Sequence, residues 1–175
     1  MKTFGFGAEY AVEPADSNDR RLPVVEFGRI EAPISSARSQ LLVAPEGGDA
    51  WIGSFEAGIG GLTGAFSTPH PRILLVIQKG RAYVIPVDRP EEFVRPPVNP
   101  VLQVLPFLDQ RRLVLVSHTR LAGLGPEGIE WKTGDLASDG FDEIRPLSDG
   151  IYVSAELPSG RRAEYVLDLR DGSLR

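Results

Sequence analysis

The chain contains no cysteine. That absence excludes a disulfide framework, a thiolate metal site and cysteine nucleophilic chemistry, and it allows a reducing compartment. Long apolar runs are missing too. The longest, residues 73–77, falls far short of the roughly 20 residues that cross a bilayer as a helix. The opening Met1-Lys2-Thr3-Phe4-Gly5-Phe6 carries a charge but no apolar stretch of signal-peptide length, so it is expected to belong to the fold. Histidine is scarce: His70 and His118 are the two present, and any imidazole chemistry must use one of them. A basic field is also lacking, because 19 Lys and Arg are mixed with 24 Asp and Glu for a net charge of −5. That balance disfavours general nucleic-acid binding. These absences together lead us to expect a soluble, cytoplasmic protein with no membrane contact.

What is present is a period of two. Phe4, Phe6, Ala8, Tyr10 and Val12 alternate with Thr3, Gly5, Gly7, Glu9 and Ala11, which predicts one long first strand with its aromatics on the core face. Residues 24–30 read as a second strand of ambiguous period. Residues 40–44 and 50–56 flank Pro45-Glu46-Gly47-Gly48-Asp49 as a hairpin, with Trp51 and Phe55 on a shared face. Residues 72–78 are apolar on both faces, as an interior strand must be, and Lys79-Gly80 turns them into residues 81–87. Asp88-Arg89-Pro90-Glu91-Glu92 can form one helical turn before Pro96-Pro97 ends it. Beyond the stiff Pro96-Pro97-Val98-Asn99-Pro100 segment, short apolar runs resume at 101–105, 112–117, 119–124, 129–132, 141–144, 151–157 and 165–169.

About a dozen short strands joined by turns predict an antiparallel all-β chain of meander sheets with little helix, a single domain over residues 1–175. A closed barrel, a β-sandwich and a partial propeller-like arrangement are the candidate architectures. Two segments, 80–88 and 163–172, share a strand that ends in Val/Leu-Asp before a turn, as propeller blades do. At roughly 40 to 45 residues per blade this length supplies four at most.

The run Leu113-Val114-Leu115-Val116-Ser117-His118-Thr119-Arg120-Leu121, then Gly125-Pro126-Glu127-Gly128-Ile129-Glu130-Trp131-Lys132-Thr133, then Leu136 and Asp139-Gly140-Phe141, resembles the C-terminal part of small bacterial β-rich proteins of uncharacterised function. The resemblance is confined to the second half of the chain and to strand and turn positions. It implies a bacterial intracellular setting and no particular activity.

Gly58-Ile59-Gly60-Gly61-Leu62-Thr63-Gly64 has the amide-rich look of an anion-binding loop. Its glycine spacing misses the dinucleotide pattern by one residue, however, and Pro69-His70-Pro71 stands where a helix should begin. It reads as a flexible or bulged β connection, with a ligand loop as the alternative. Ser117 and His118 are adjacent on a strand and so face opposite ways, and no Gly-x-Ser-x-Gly is present. His118 is therefore expected to be structural, bonded to a neighbour at a sheet edge, and His70 to be a loop residue. Asp135, Asp139, Asp142 and Glu143 crowd around Gly140 but fail the calcium-loop template at its third and twelfth positions, so they read as a solvated turn. Trp51 and Trp131 are expected in the core. No metal and no cofactor is predicted.

The reading that survives is a binding or protein-interaction module without catalytic activity, its partner a protein or a small molecule. Contact residues would be Gly58, Gly60, Gly61, Gly64, Phe66, His70 and His118, with residues 57–71 the most mobile exposed loop. One alternative is an enzyme that pairs His118 with a carboxylate such as Asp109. Another is a subunit that assembles through an exposed sheet edge in the 101–117 hairpin. Far-ultraviolet circular dichroism should give a strand-dominated spectrum, and a helix-dominated one would overturn the fold class.

Overall fold

Apolar alternation, cut at short intervals by glycine and proline, forms fourteen strands in four sheets in the computed structural model, which describes residues 2–16, 21–28, 38–157 and 159–175. The first sheet contains β1 (Tyr10–Pro14), β2 (Val24–Phe27), β3 (Arg38–Pro45) and β4 (Trp51–Glu56) in the order β1-β3-β4-β2. The second is the meander β5 (Gly64–Ser67), β6 (Ile73–Gln78) and β7 (Arg81–Pro86). The third is the meander β8 (Gln103–Phe107), β9 (Arg112–Val116), β10 (Leu121–Gly125) and β11 (Gly128–Lys132). The fourth is the meander β12 (Phe141–Pro146), β13 (Gly150–Glu156) and β14 (Arg162–Asp168). Isolated bridges give the two three-stranded sheets a fourth position each: Val94 beside Val84 in the second, Leu174 beside Leu167 in the fourth. The chain is thus all-β, with four successive blade-like sheets. Helix is confined to short 3-10 stretches among the described residues, including the turn Pro90–Glu92.

Three apolar layers hold these blades face to face in chain order. Between the first and second lie Tyr10, Phe27, Val43, Trp51 and Phe55 against Leu74, Val76, Tyr83 and Ile85. Between the second and third lie Phe66, Leu75, Ile77, Ala82 and Val84 against Val104, Leu113, Leu115, Ala122 and Leu124. Between the third and fourth lie Leu105, Phe107, Val114, Val116, Leu121 and Trp131 against Ile151, Val153, Leu167 and Leu169. Successive residues of a strand point to opposite faces, so β6 sends its odd residues toward the third blade and its even ones toward the first. β9 does the same, toward the second and fourth.

Buried polar atoms cross two of these layers. Trp51 Nε1 donates to the Val87 carbonyl at 2.9 Å and Tyr10 hydroxyl to the Ile73 carbonyl at 2.9 Å, both from the first blade to the second. Trp131 Nε1 donates to the Leu169 carbonyl at 2.7 Å, from the third blade to the fourth. Both tryptophans are core residues, as expected, and they lie in separate layers.

The amino-terminal reading needs correction. The long first strand is broken: Phe4 and Gly5 adopt positive φ (48° and 86°) and turn the chain, so only Tyr10–Pro14 is strand. Phe4 and Phe6 pack on the layer between the second and third blades, whereas Ala8 and Val12 pack on the one between the first and second. β2 also departs from an antiparallel scheme, since it pairs parallel to β4 after an excursion too long for a hairpin. Residues 29 and 30, assigned to that strand from the sequence, lie outside the described residues.

Leu75 is fully buried on the middle strand of its sheet. Leu75→Ala should therefore cost about 2 to 5 kcal/mol in a denaturant titration, and a loss below about 1 kcal/mol would contradict the two-sided burial.

Candidate functional site

The residues singled out from the sequence fall at two ends of the blade stack. The Gly58–Gly64 connection bonds to the Lys79-Gly80 turn at the end of β6, and Val101 N–H donates to the Gly80 carbonyl at 2.7 Å. Leu102 N–H donates to the Val116 carbonyl at 2.8 Å, which brings the His118 turn to that same end. His70 precedes β6 and so lies at the other end, roughly 20 Å away for a six-residue strand. There its Nδ1 accepts from Arg72 N–H at 3.0 Å, and its own N–H donates to Thr68 Oγ1 at 3.3 Å. His70 thus closes the β5–β6 turn.

The glycine-rich connection acts as a staple. Gly58 N–H donates to the Gln78 carbonyl at 2.8 Å, Gly60 N–H to Lys79 at 3.2 Å and Leu62 N–H to Val101 at 3.0 Å, so these amides are engaged within the protein. A Cβ at Gly80, whose φ is +82°, would overlap the Gly60 carbonyl oxygen, and one at Gly61 would lie 2.6 Å from the Val101 carbonyl oxygen. Gly64 opens β5 beneath the Phe66 ring. This bonding argues against a loose loop, although Ile59 at its tip is fully exposed and Gly60, Gly61 and Thr63 are exposed beside it. Phe66 offers no contact surface either, being 1% exposed and stacked on Phe4 at 5.4 Å between ring centroids.

His118 stands differently. Sequence alone suggested a satisfied edge histidine, yet its side chain is exposed and has no hydrogen-bond partner among the described residues. It opens onto a groove of about 380 Å³ lined by Leu102, Gln103, Val116, Ser117, His118, Gly140, Phe141 and Ile144. Asp109 does not join it: that residue turns β8 into β9, at the opposite end of β9 from His118. Pairing the two as acid and base is thereby excluded by distance.

The groove runs between two sheet edges. β8 is the outer strand of the third blade and β12 that of the fourth, and each has one neighbour among the described strands. The corresponding edge of β5 is covered, because Lys2 N–H donates to the Ala65 carbonyl at 2.8 Å and Ser67 N–H to the Lys2 carbonyl at 3.0 Å. Prolines, which lack the N–H that an added strand would need, end β12 at Pro146 and sit in β8 at Pro106. Both lie away from the groove end, leaving residues 141–145 of β12 with all their amides. A register shift between Phe141 and Glu143 twists that stretch locally.

A charged clip holds the groove mouth. Ser117 N–H donates to the Arg120 carbonyl at 2.9 Å, forming the turn that presents His118. Asp135 accepts from Arg120 Nε and Nη2 at 2.7 and 2.8 Å and from Thr119 Oγ1 at 2.7 Å. Leu136 N–H adds a bond to the Thr119 carbonyl at 2.8 Å. The Arg120 guanidinium, with help from the Thr119 hydroxyl, lowers the Asp135 carboxyl from 3.8 to about 2. The acidic cluster seen in the sequence is therefore dispersed among guanidinium partners: Asp135 with Arg120, Asp142 with Arg162, Glu143 with Arg145. No group of three or more potential metal ligands occurs among the described residues.

No protein-family model and no curated protein sequence matches the chain. Among solved structures it is similar to BamB from Moraxella catarrhalis, at 13% identity and a TM-score of 0.44, over 94% of this chain and 49% of that one. It is also similar to the extracellular domain of BT4673 from B. thetaiotaomicron, at 13% identity and 0.41, over 88% and 24%. A third is the N-terminal domain of Nup159, at 12% identity and 0.40, over 97% and 50%. The chain spans half or less of each of these. The blade arrangement itself rests on the strand pairing described above, and no helix among the described residues is long and apolar enough to cross a membrane.

Two measurements follow. Asp135 has a depressed carboxyl, so its clip contributes fully above its ordinary value of 3.8 and is lost as pH falls toward about 2. The stability difference between the native protein and Asp135→Asn should accordingly shrink across that window in urea titrations; a constant difference would refute the clip. Gly80→Ala should destabilise by more than about 1 kcal/mol, because both its φ and the Gly60 carbonyl oppose a Cβ, and a neutral result would remove the staple.

Proposed function

We propose that this protein is a non-catalytic interaction module that takes an extended segment of a partner protein into the groove between its third and fourth blades. The observation that carries the reading is the juxtaposition of an unpaired sheet edge, β12, with a partly apolar floor beside it. A strand laid along residues 141–145 would satisfy open backbone groups, while an aliphatic side chain from it would fill the space between Leu102, Phe141 and Ile144. His118, Ser117 and Gln103 line the same groove and supply polar contacts without a nucleophile and base arranged to act on a bond. The absence of cysteine suits reducing and oxidising compartments equally, so a cytoplasmic setting forms no part of the proposal.

Selection from a random heptapeptide library should enrich sequences with aliphatic residues at alternate positions. Bound peptide should slow amide exchange across residues 141–145, and Leu102→Glu, at a side chain already 37% exposed, should weaken binding about tenfold or more with the fold intact. Enriched peptides that protect a different surface, or that bind Leu102→Glu as tightly, would overturn the reading.

A further inference from the structure

We infer that a second, smaller pocket on the outer side of the second blade binds an oxyanion, the carboxylate or phosphate group of a small molecule or chain end, through Arg95 and Arg81. The pocket encloses about 180 Å³ and is lined by Arg81, Ala82, Arg95, Pro96, Val98 and Asn99. That space accommodates a single anionic group with a short stem and is too small for a nucleotide.

Most arginines of this molecule have an acid partner, and Arg95 has none among the described residues. Ten other arginines are paired with carboxylates: Arg38, Arg72, Arg81, Arg89, Arg112, Arg120, Arg145, Arg162, Arg170 and Arg175. Arg95 has neither a carboxylate nor a carbonyl acceptor among the described residues. Its guanidinium carbon instead lies 5.6 Å from the centroid of the fully buried Tyr83 ring. A cation–π contact of this kind occupies none of the guanidinium N–H donors, which remain available to an acceptor. Those donors are held in place by the backbone, because the neighbouring Val94 exchanges both hydrogen bonds with Val84 at 2.9 Å, and Val98 and Val101 anchor the following strap in the core.

Arg81 supplies the second positive group. One of its nitrogens pairs with Glu56, which crosses from the first blade and is 11% exposed in its side chain. That pair neutralises one charge and orients Arg81, while Arg95 leaves a net positive centre in a protein of net charge −5. Two guanidiniums can present parallel N–H donors to two oxygens of one group, an arrangement that an ammonium does not reproduce. Ala82, Pro96 and Val98 form an apolar wall suited to the carbon stem of an organic acid, and the Asn99 amide adds a further donor.

The test is an amide NMR titration with inorganic phosphate and, separately, with succinate, against sodium chloride at matched ionic strength. Saturable shifts confined to the amides of Arg81, Ala82, Arg95, Val98 and Asn99 are expected from at least one of the two anions; which one responds identifies the source of the group. Arg95→Gln should weaken that response about tenfold or more, and Arg95→Lys, which keeps charge and aromatic cover but loses the fork, should weaken it by a smaller factor. Shifts that chloride reproduces, shifts spread over the surface, or unchanged binding by Arg95→Gln would overturn the inference. Should Arg95→Gln fail to fold, equal affinity in Arg95→Lys and the native protein would overturn it as well.

Discussion

Burial on both faces of β6 and β9 is the constraint on which the rest of the structure depends. A sheet with one apolar face can stack on a single neighbour; a row of four needs two interior members with two apolar faces each. β6 and β9 supply them, with Leu74 and Val76 pointing one way and Leu75 and Ile77 the other, and Leu113 and Leu115 opposed to Val114 and Val116. Each outer blade shares an apolar layer with one neighbouring blade, although Ile52 and Ser54 are also buried on the other face of β4. On the far side of the fourth blade, Arg145 stacks on Tyr152 at 4.9 Å and pairs with Glu143, while Arg162 reaches Asp142 and Ser154. On the first blade, Arg38 joins Glu26 to Ser54. The exposed guanidinium and carboxylate groups among them keep their hydration and resist further stacking.

The interfaces are secured in two ways. Indole donors bridge the first to the second blade and the third to the fourth, each to a carbonyl just beyond the third strand of the neighbouring meander. Satisfying that carbonyl inside an apolar layer avoids the cost of an orphaned acceptor. Between the second and third blades the backbone does the joining, through the glycine-rich connection, the Lys79-Gly80 turn and Val101. Arg111 adds a bond from its guanidinium to the Pro69 carbonyl at the opposite end. The middle interface thus depends on close approach of main chains, which explains the concentration of glycine there.

Much of the fold was legible because its signals are local. Alternation and turn residues located most strands, and the unbroken run at residues 73–77 identified a strand covered on both sides. What was not legible depends on contacts between distant segments. The Phe4-Gly5 turn interrupts a sequence that alternates without a break, since the aromatics on its two sides serve different layers. Phe66 was expected at a contact surface within an exposed loop, yet Phe4, more than sixty residues away in sequence, covers it. His118 was legible as an unusual residue, but its groove is made by Phe141 and Ile144 from another sheet. Arg95 carried no sequence signal at all; its place over the Tyr83 ring, without a nearby acid, appears only in three dimensions.

The chain order of the blades also governs how disturbance spreads. Each sheet comes from one contiguous stretch, and among the described residues the three apolar layers join it to the sheets before and after it, so packing between the first and fourth blades runs through both interior ones. Such an assembly behaves as a short one-dimensional array with nearest-neighbour terms. In such an array the terminal units, with one interface apiece, are expected to fray first, and the layer between the third and fourth blades is separate from the one around Phe27, Trp51 and Tyr83. The groove between the third and fourth blades lies at one of the two terminal joints, so a ligand wedged there is resisted by one layer of packing.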